Sequence, residues 1–281
     1  MYEVIFLWAL ALAWIIFAVI QDLKTREIAN WLNFSLVIFA LEFRFFYSLF
    51  NNDGFSFFYQ GLIGLGVFFL LGNLFYYSRV FAGGDAKLMI SFGAILPTSS
   101  FFILNIQSLL TFLLIFLFSG FAYIFATSTV LCIRHFKAFK KEFARQLEKK
   151  KKLMISLTLL GAVLILLGFF EIIFSIIGLS IIFISYLYMY SRAIDEVCMV
   201  RKIQAIHLRE GDWLYTNLKV GNKIIKSNWN GLTNEEIKSI RKKYKQVKIR
   251  QGIPFSPNFL VSFIIFASFK IFNLNLWNPL W

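Results

Sequence analysis

Val4-Ile5-Phe6-Leu7-Trp8-Ala9-Leu10-Ala11-Leu12-Ala13-Trp14-Ile15-Ile16-Phe17-Ala18-Val19-Ile20 is an apolar run that closes on Gln21-Asp22-Leu23-Lys24. Its length approaches the ~20 residues that cross a bilayer as a helix. A signal peptide has this length too. The run lacks a basic start, however, and Asp22 to Asn30 does not read as a small-residue cleavage site, so it is read as a first membrane helix. Similar runs recur along the chain: 59% of its 281 residues are hydrophobic and 36 are Phe. A soluble domain does not need that much apolar surface. The pattern predicts an all-α polytopic membrane protein of about eight transmembrane helices, with a small cytoplasmic α+β cap.

The predicted spans cover residues 3–20, 31–48, 57–77, 88–104, 108–133, 153–170, 172–190 and 256–274. Placing the loops after spans one, three, five and seven on one side gathers 27 of the 29 Lys and Arg there, leaving Arg44 and Lys270. The positive-inside rule makes that side cytoplasmic and both chain ends external. The net charge of +14 is therefore read as topology, with no nucleic-acid partner expected. Cys132 and Cys198 exclude a disulfide framework, and His135 and His207 have no neighbours at ligand spacing, so neither metal nor cofactor is expected.

The expected organisation is 1–133 for helices one to five, 134–152 for a basic amphipathic cytoplasmic segment, 153–190 for helices six and seven, 191–255 for a small cytoplasmic domain, and 256–281 for the last helix and an outside tail. In the basic segment Phe136, Phe139, Phe143 and Leu147 share one stripe, which suits an anionic membrane surface or a solvated extension of helix five. Within 191–255 the sequence predicts a hairpin over Asp212 to Ile225 with Gly221-Asn222 near its middle, a capping box at Thr233 and Glu236 opening a helix to about Lys245, and a break at Gly252–Pro257. A piece this small makes a marginal core alone and is expected to pack on the membrane helices.

Of five aspartates, Asp53 lies in an outside turn and Asp195 and Asp212 in the soluble region. Only Asp22 and Asp85 fall at cytoplasmic helix ends, Asp85 within Ala82-Gly83-Gly84-Asp85-Ala86-Lys87. A carboxylate at membrane depth is costly and usually functional. Two close carboxyls share one proton, so one can activate water while the other hydrogen-bonds a scissile carbonyl. Gly83 and Gly84 would admit a substrate backbone. The structural alternatives are that Asp85 caps its helix and that Asp22 balances Lys24 or Arg26. Glu42 is expected to pair with Arg44.

At these residues the chain resembles the archaeal type IV prepilin and preflagellin (pre-archaellin) peptidases, membrane aspartic proteases of the Gly-x-Gly-Asp kind. The first motif matches at Asp22, Lys24, Arg26, Ile28 and Asn30, the second at Gly83, Gly84, Asp85 and Lys87. The likeness covers roughly the first hundred residues, and less specifically Glu210–Trp213 and Gly252–Phe255. Ala82 stands where the first glycine is expected, and strains the motif only if that position needs positive φ. Ala29 replaces a frequent Pro. The cysteine-rich loop of many bacterial relatives is missing, so their N-methyltransferase activity is not expected.

The resemblance implies catalytic Asp22 and Asp85, with Gly83, Gly84, Lys24, Arg26, Asn30 and Lys87 binding substrate or shaping the site. The substrate would be a pilin or archaellin precursor with a short basic leader, cut at the cytoplasmic face and held laterally against the helices that carry the dyad. Beyond this substrate and the lipid bilayer no partner is implied, and the oligomeric state is open. Two other classes compete: an intramembrane protease of the presenilin or signal-peptide-peptidase kind, and a non-enzymatic proton- or cation-coupled transporter. The first wants aspartates deep within helices; the second wants polar groups and helix breaks near the midplane. Cations around the proposed site sit badly with a basic leader and favour ionised aspartates.

Overall fold

A computed structural model describes residues 2–51, 54–221, 223–228, 230–272 and 274. The expected turn at Asn52-Asp53, Asn222 of the hairpin and the tail from residue 275 onward lie outside these residues. The helices are α1 (Tyr2–Thr25), α2 (Asn30–Phe50), α3 (Ser56–Tyr77), α4 (Gly83–Gly93), α5 (Phe102–Arg134), α6 (Phe136–Lys149), α7 (Lys151–Leu167), α8 (Ile172–Cys198), α9 (Asn234–Lys243) and α10 (Ser256–Ile271). The strands are β1 (Val200–Gln204), β2 (Trp213–Leu214), β3 (Leu218–Val220), β4 (Lys223–Ile225) and β5 (Gln246–Arg250).

Five helices, α1, α2, α3, α5 and α8, are long and apolar enough to cross a membrane. The protein is thus a multi-pass membrane protein, with fewer full-length spans among the described residues than the eight expected. The shortfall has local causes. At 16 residues α10 is a shorter apolar helix, and α7, over the expected span 153–170, has only 17. The predicted span 88–104 breaks into α4, only 11 residues long, and an irregular stretch before α5. By helical rise α4 is about 16 Å long, half a hydrocarbon core.

The chain divides into two compact units, Met1–Ile124 with Pro254–Trp281, and Phe125–Ile253, the division falling inside α5. In the first unit, α3 carries α4 through glycines. A Cβ on Gly64 would lie 2.3 Å from the Gly93 carbonyl, and one on Gly72 would lie 2.9 Å from the Ala86 carbonyl. Small residues let helix backbones approach this closely where lipid supplies no hydrophobic drive.

Ending α4 early strands carbonyls at membrane depth, which must find donors. Arg44, fully buried on α2, supplies them: Nε donates to Ala94 O at 2.8 Å, Nη2 to Ile95 O at 3.2 Å and to Pro97 O, and Nη1 to Phe57 O at 2.9 Å. Asn105 holds the same stretch, its Oδ1 accepting from Thr98 N and Ser99 N at 3.0 Å. Glu42, the expected partner of Arg44, is exposed. A guanidinium turned inward meets main chain because its own helix face is packed.

In the second unit α7 and α8 fold back on each other, a Cβ on Gly178 falling 2.5 Å from Gly161 O. The amphipathic α6 sets Phe139 edge-on to Tyr190 at 5.6 Å. Antiparallel β1, β5 and β2 form a small sheet, and β3 and β4 form the hairpin around Gly221, whose φ is +61°. The capping box at Thr233 and Glu236 is present, and α9 ends at Lys243. Leu214, Ile237, Ile240, Val247 and Ile249 fill this unit's core.

Candidate active site

The site is built from the ends of α1, α2, α4 and α10. Asp22 lies in the last turn of α1, buried at 8% exposure, and its Oδ2 accepts a hydrogen bond from Ser256 Oγ at 2.6 Å. Ser256 is the first residue of α10 and is followed by Pro257, a combination that starts helices. The carboxylate is thereby placed beside a helix N-terminus, where negative charge is favoured.

The loop after Asp22 is short and fully tied. Arg26 adopts φ +61° and its N–H closes on Asp22 O at 2.8 Å, ending α1 in a left-handed residue. Gln21 Oε1 accepts from Ala29 N at 3.0 Å, which fixes the start of α2. Ile28 is turned inward to 8% exposure.

That loop meets the second motif directly. A Cβ on Gly84 would lie 3.3 Å from Ile28 Cβ, so glycine gives the close approach here; at Gly83 the nearest neighbour is 3.8 Å away. Lys87 Nζ donates to Asn30 Oδ1 at 2.6 Å, and Ser91 Oγ donates to Asn33 O at 3.1 Å. Upstream, Phe81 anchors the segment in an aromatic cluster, 4.9 Å from Phe75 and 5.8 Å from Phe255 between ring centroids. Ala82 has φ −71° and ψ 161°, ordinary extended backbone, so the missing glycine costs no strain.

Ala82 is the N-cap of α4 and Asp85 its third residue, so Asp85 is not the cap. It is half-buried in the first turn of a helix that is not one of the membrane spans. Burial and then the nearby Asp22 charge push its carboxyl up to about 7, against a hydrogen bond with the Ala82 backbone.

The structure brings together Asp22, Asp85, Gly84, Asn30 and Lys87, with Gly83 adjoining. Arg26 contributes its backbone turn, while Lys24 is exposed on the last turn of α1. Three contributors escaped sequence reading: Ser256, 234 residues from its carboxylate; Gln21; and Tyr123, whose hydroxyl donates to Pro254 O at 2.9 Å just before α10. Of these only Ser256-Pro257 had a local signal, as a helix start. Among the described residues no group of three or more His, Cys, Asp or Glu could hold a metal ion.

A model of the type IV leader peptidase family matches residues 9–128. The preflagellin peptidase of Methanocaldococcus jannaschii is 36% identical over 83 residues, 30% of this chain and 35% of that protein. The preflagellin peptidase of Methanococcus maripaludis is 27% identical over 128 residues, 43% of this chain and 55% of that protein. The chain thus matches about a third and about half of the length of these relatives. No solved structure matches. Residues 9–128, which hold both aspartates and the loop that joins them, are the part of this chain similar to the type IV leader peptidase family.

Proposed function

We propose that the protein is a membrane aspartic endopeptidase that removes the short basic leader from pilin-like or archaellin precursors at the cytoplasmic membrane face. The observation that carries this reading is the convergence of the two motifs. Ile28 packs on Gly84, Asn30 holds Lys87, and Asp22 lies close enough to Asp85 to raise its pKa. The relatives' printed names and the positive-inside distribution of Lys and Arg support the substrate and the face.

In this mechanism the dyad holds one proton, and the apparent pKa values belong to the pair. Asp85, whose pKa is raised, is the protonated member and hydrogen-bonds the scissile carbonyl. Asp22, oriented by Ser256, is the ionised member that takes a proton from the attacking water. The tetrahedral intermediate then collapses as the amine leaves with a proton, with no covalent enzyme intermediate. Lys24, Arg26 and Lys87 are assigned to site shaping, with the Lys87 ammonium hydrogen-bonded to Asn30.

The test is leader removal from a co-expressed precursor, read by mass. Asp22→Asn and Asp85→Asn are near-isosteric and should each lower cleavage by about 10³-fold or more, within the range of lost acid–base catalysis. Cleavage that survives either substitution would exclude the two-aspartate mechanism.

A further inference from the structure

A groove of about 720 Å³ opens on the face of α2, α3 and α4. One end is shared with the candidate site, because Gly83, Ala86 and Lys87 line it beside Asp85. Its walls are apolar, formed by Phe34, Val37, Leu62, Phe69 and Ile90 among others. Asn73, Lys87 and Ser91 are polar lining residues that donate hydrogen bonds within the protein, unlike Asn33. Asn33 lies one turn along α2 from Asn30, is only 2% exposed, and neither its Nδ2 nor its Oδ1 has a hydrogen-bond partner. An amide left unsatisfied among apolar walls is costly, so its burial calls for an occupant that satisfies it.

The chemistry of the amide selects that occupant. A lipid acyl chain fits the walls but carries neither donor nor acceptor. A free basic leader has the wrong polarity for them. A peptide bond can be hydrolysed only when its segment is unwound, and unwinding the start of an apolar helix frees N–H and C=O groups that find no water at membrane depth. One Asn side chain offers one donor set and one acceptor, matching one freed peptide group.

We infer that this groove takes the first, unwound turn of the precursor's apolar helix, and that the Asn33 amide hydrogen-bonds its main chain as a positioning residue. The inference rests on the peptidase reading and deepens it. Recognition of main chain makes the role of Asn33 independent of precursor sequence.

Two measurements on the full chain in lipid nanodiscs test it, using a synthetic peptide with a basic leader and an apolar helix. A photo-crosslinking residue at Val37 should capture the peptide, whereas one at Leu12, on an exposed face of α1, should not. Asn33→Leu should lower kcat/KM about tenfold to a hundredfold, by a similar factor for peptides of different helix sequence, while thermal stability holds or rises. A residue with a merely structural role would lose both together. Capture of lipid alone at Val37, equal capture at Leu12, or wild-type cleavage by Asn33→Leu would overturn the inference. Capture at Val37 without any wild-type cleavage would keep the groove and remove the hydrolytic reading. Cleavage without capture at Val37 would do the reverse.

Discussion

The crossing of α3 on α4 and that of α7 on α8 both rest on paired glycines, Gly64 with Gly93 and Gly161 with Gly178, whose backbones nearly touch. Around the second pair hydroxyls serve the polar needs, Thr158 on Met154 O and Ser180 on Ile176 O within their own helices, and Ser175 of α8 across to Ile165 O of α7. The helices run on, exposing Leu159, Ile177 and Phe183. Around the first pair one helix stops after 11 residues. The carbonyls just after it then need Arg44, and its N-terminus carries Asp85, within electrostatic reach of Asp22. Close packing is common to both crossings. The interrupted helix is what sets the proposed site apart, because there unpaired backbone draws on a fully buried guanidinium.

The most severe break in this comparison is Arg44→Met, which fills similar volume but removes the donors to four carbonyls. Leaving such groups unpaired in the interior should cost about 3 kcal/mol or more, enough to unfold the first unit and abolish cleavage. Thermal unfolding in detergent measures this; a wild-type melting temperature would show that the stretch after α4 is satisfied otherwise.

Substituting the glycines compares the crossings directly. Gly64→Val and Gly178→Val each force a side chain onto backbone and should cost about 1–3 kcal/mol by overpacking. Only Gly64→Val should also lower cleavage, about tenfold or more, since α4 carries Asp85. Equal losses of cleavage from both would dissolve the distinction between the two crossings.

The gentlest perturbation is pH. Asp85 has a native pKa of about 7 against an ordinary 3.8, so the native state binds more protons than the unfolded chain between those values. Its contribution to stability is full below about pH 4 and is lost as pH rises toward 7. On the proposed mechanism that proton hydrogen-bonds the scissile carbonyl and is lost above 7, so kcat/KM should fall about tenfold per unit there. A rate profile flat from pH 6 to pH 9 would remove the proton from Asp85.

Parts of the fold were legible because their causes are local. The capping box at Thr233 and Glu236 is a four-residue signature, the hairpin at Gly221 follows from one turn, and α6 follows from its stripe of Phe. Both aspartates were legible through the residues flanking them. The division of 88–104 was not, because the apolar run continues through Ala94, Ile95 and Leu96, and only the Gly64 contact and the Arg44 hydrogen bonds make stopping there favourable.

By itself the sequence determined that the chain enters membranes, which two carboxylates to propose as a pair, and where short-range caps and turns fall. These depend on composition and on neighbours within a few residues. The tertiary structure alone decided that Ser256 holds Asp22, that Ile28 seats on Gly84, that Ala82 is unstrained, and that Arg44 faces carbonyls 50 or more residues away instead of Glu42. Apart from the Ala82 backbone, each of these is a pairing between distant segments. Burial fixes them by removing water as the competing partner, and no local pattern records which distant group will take its place.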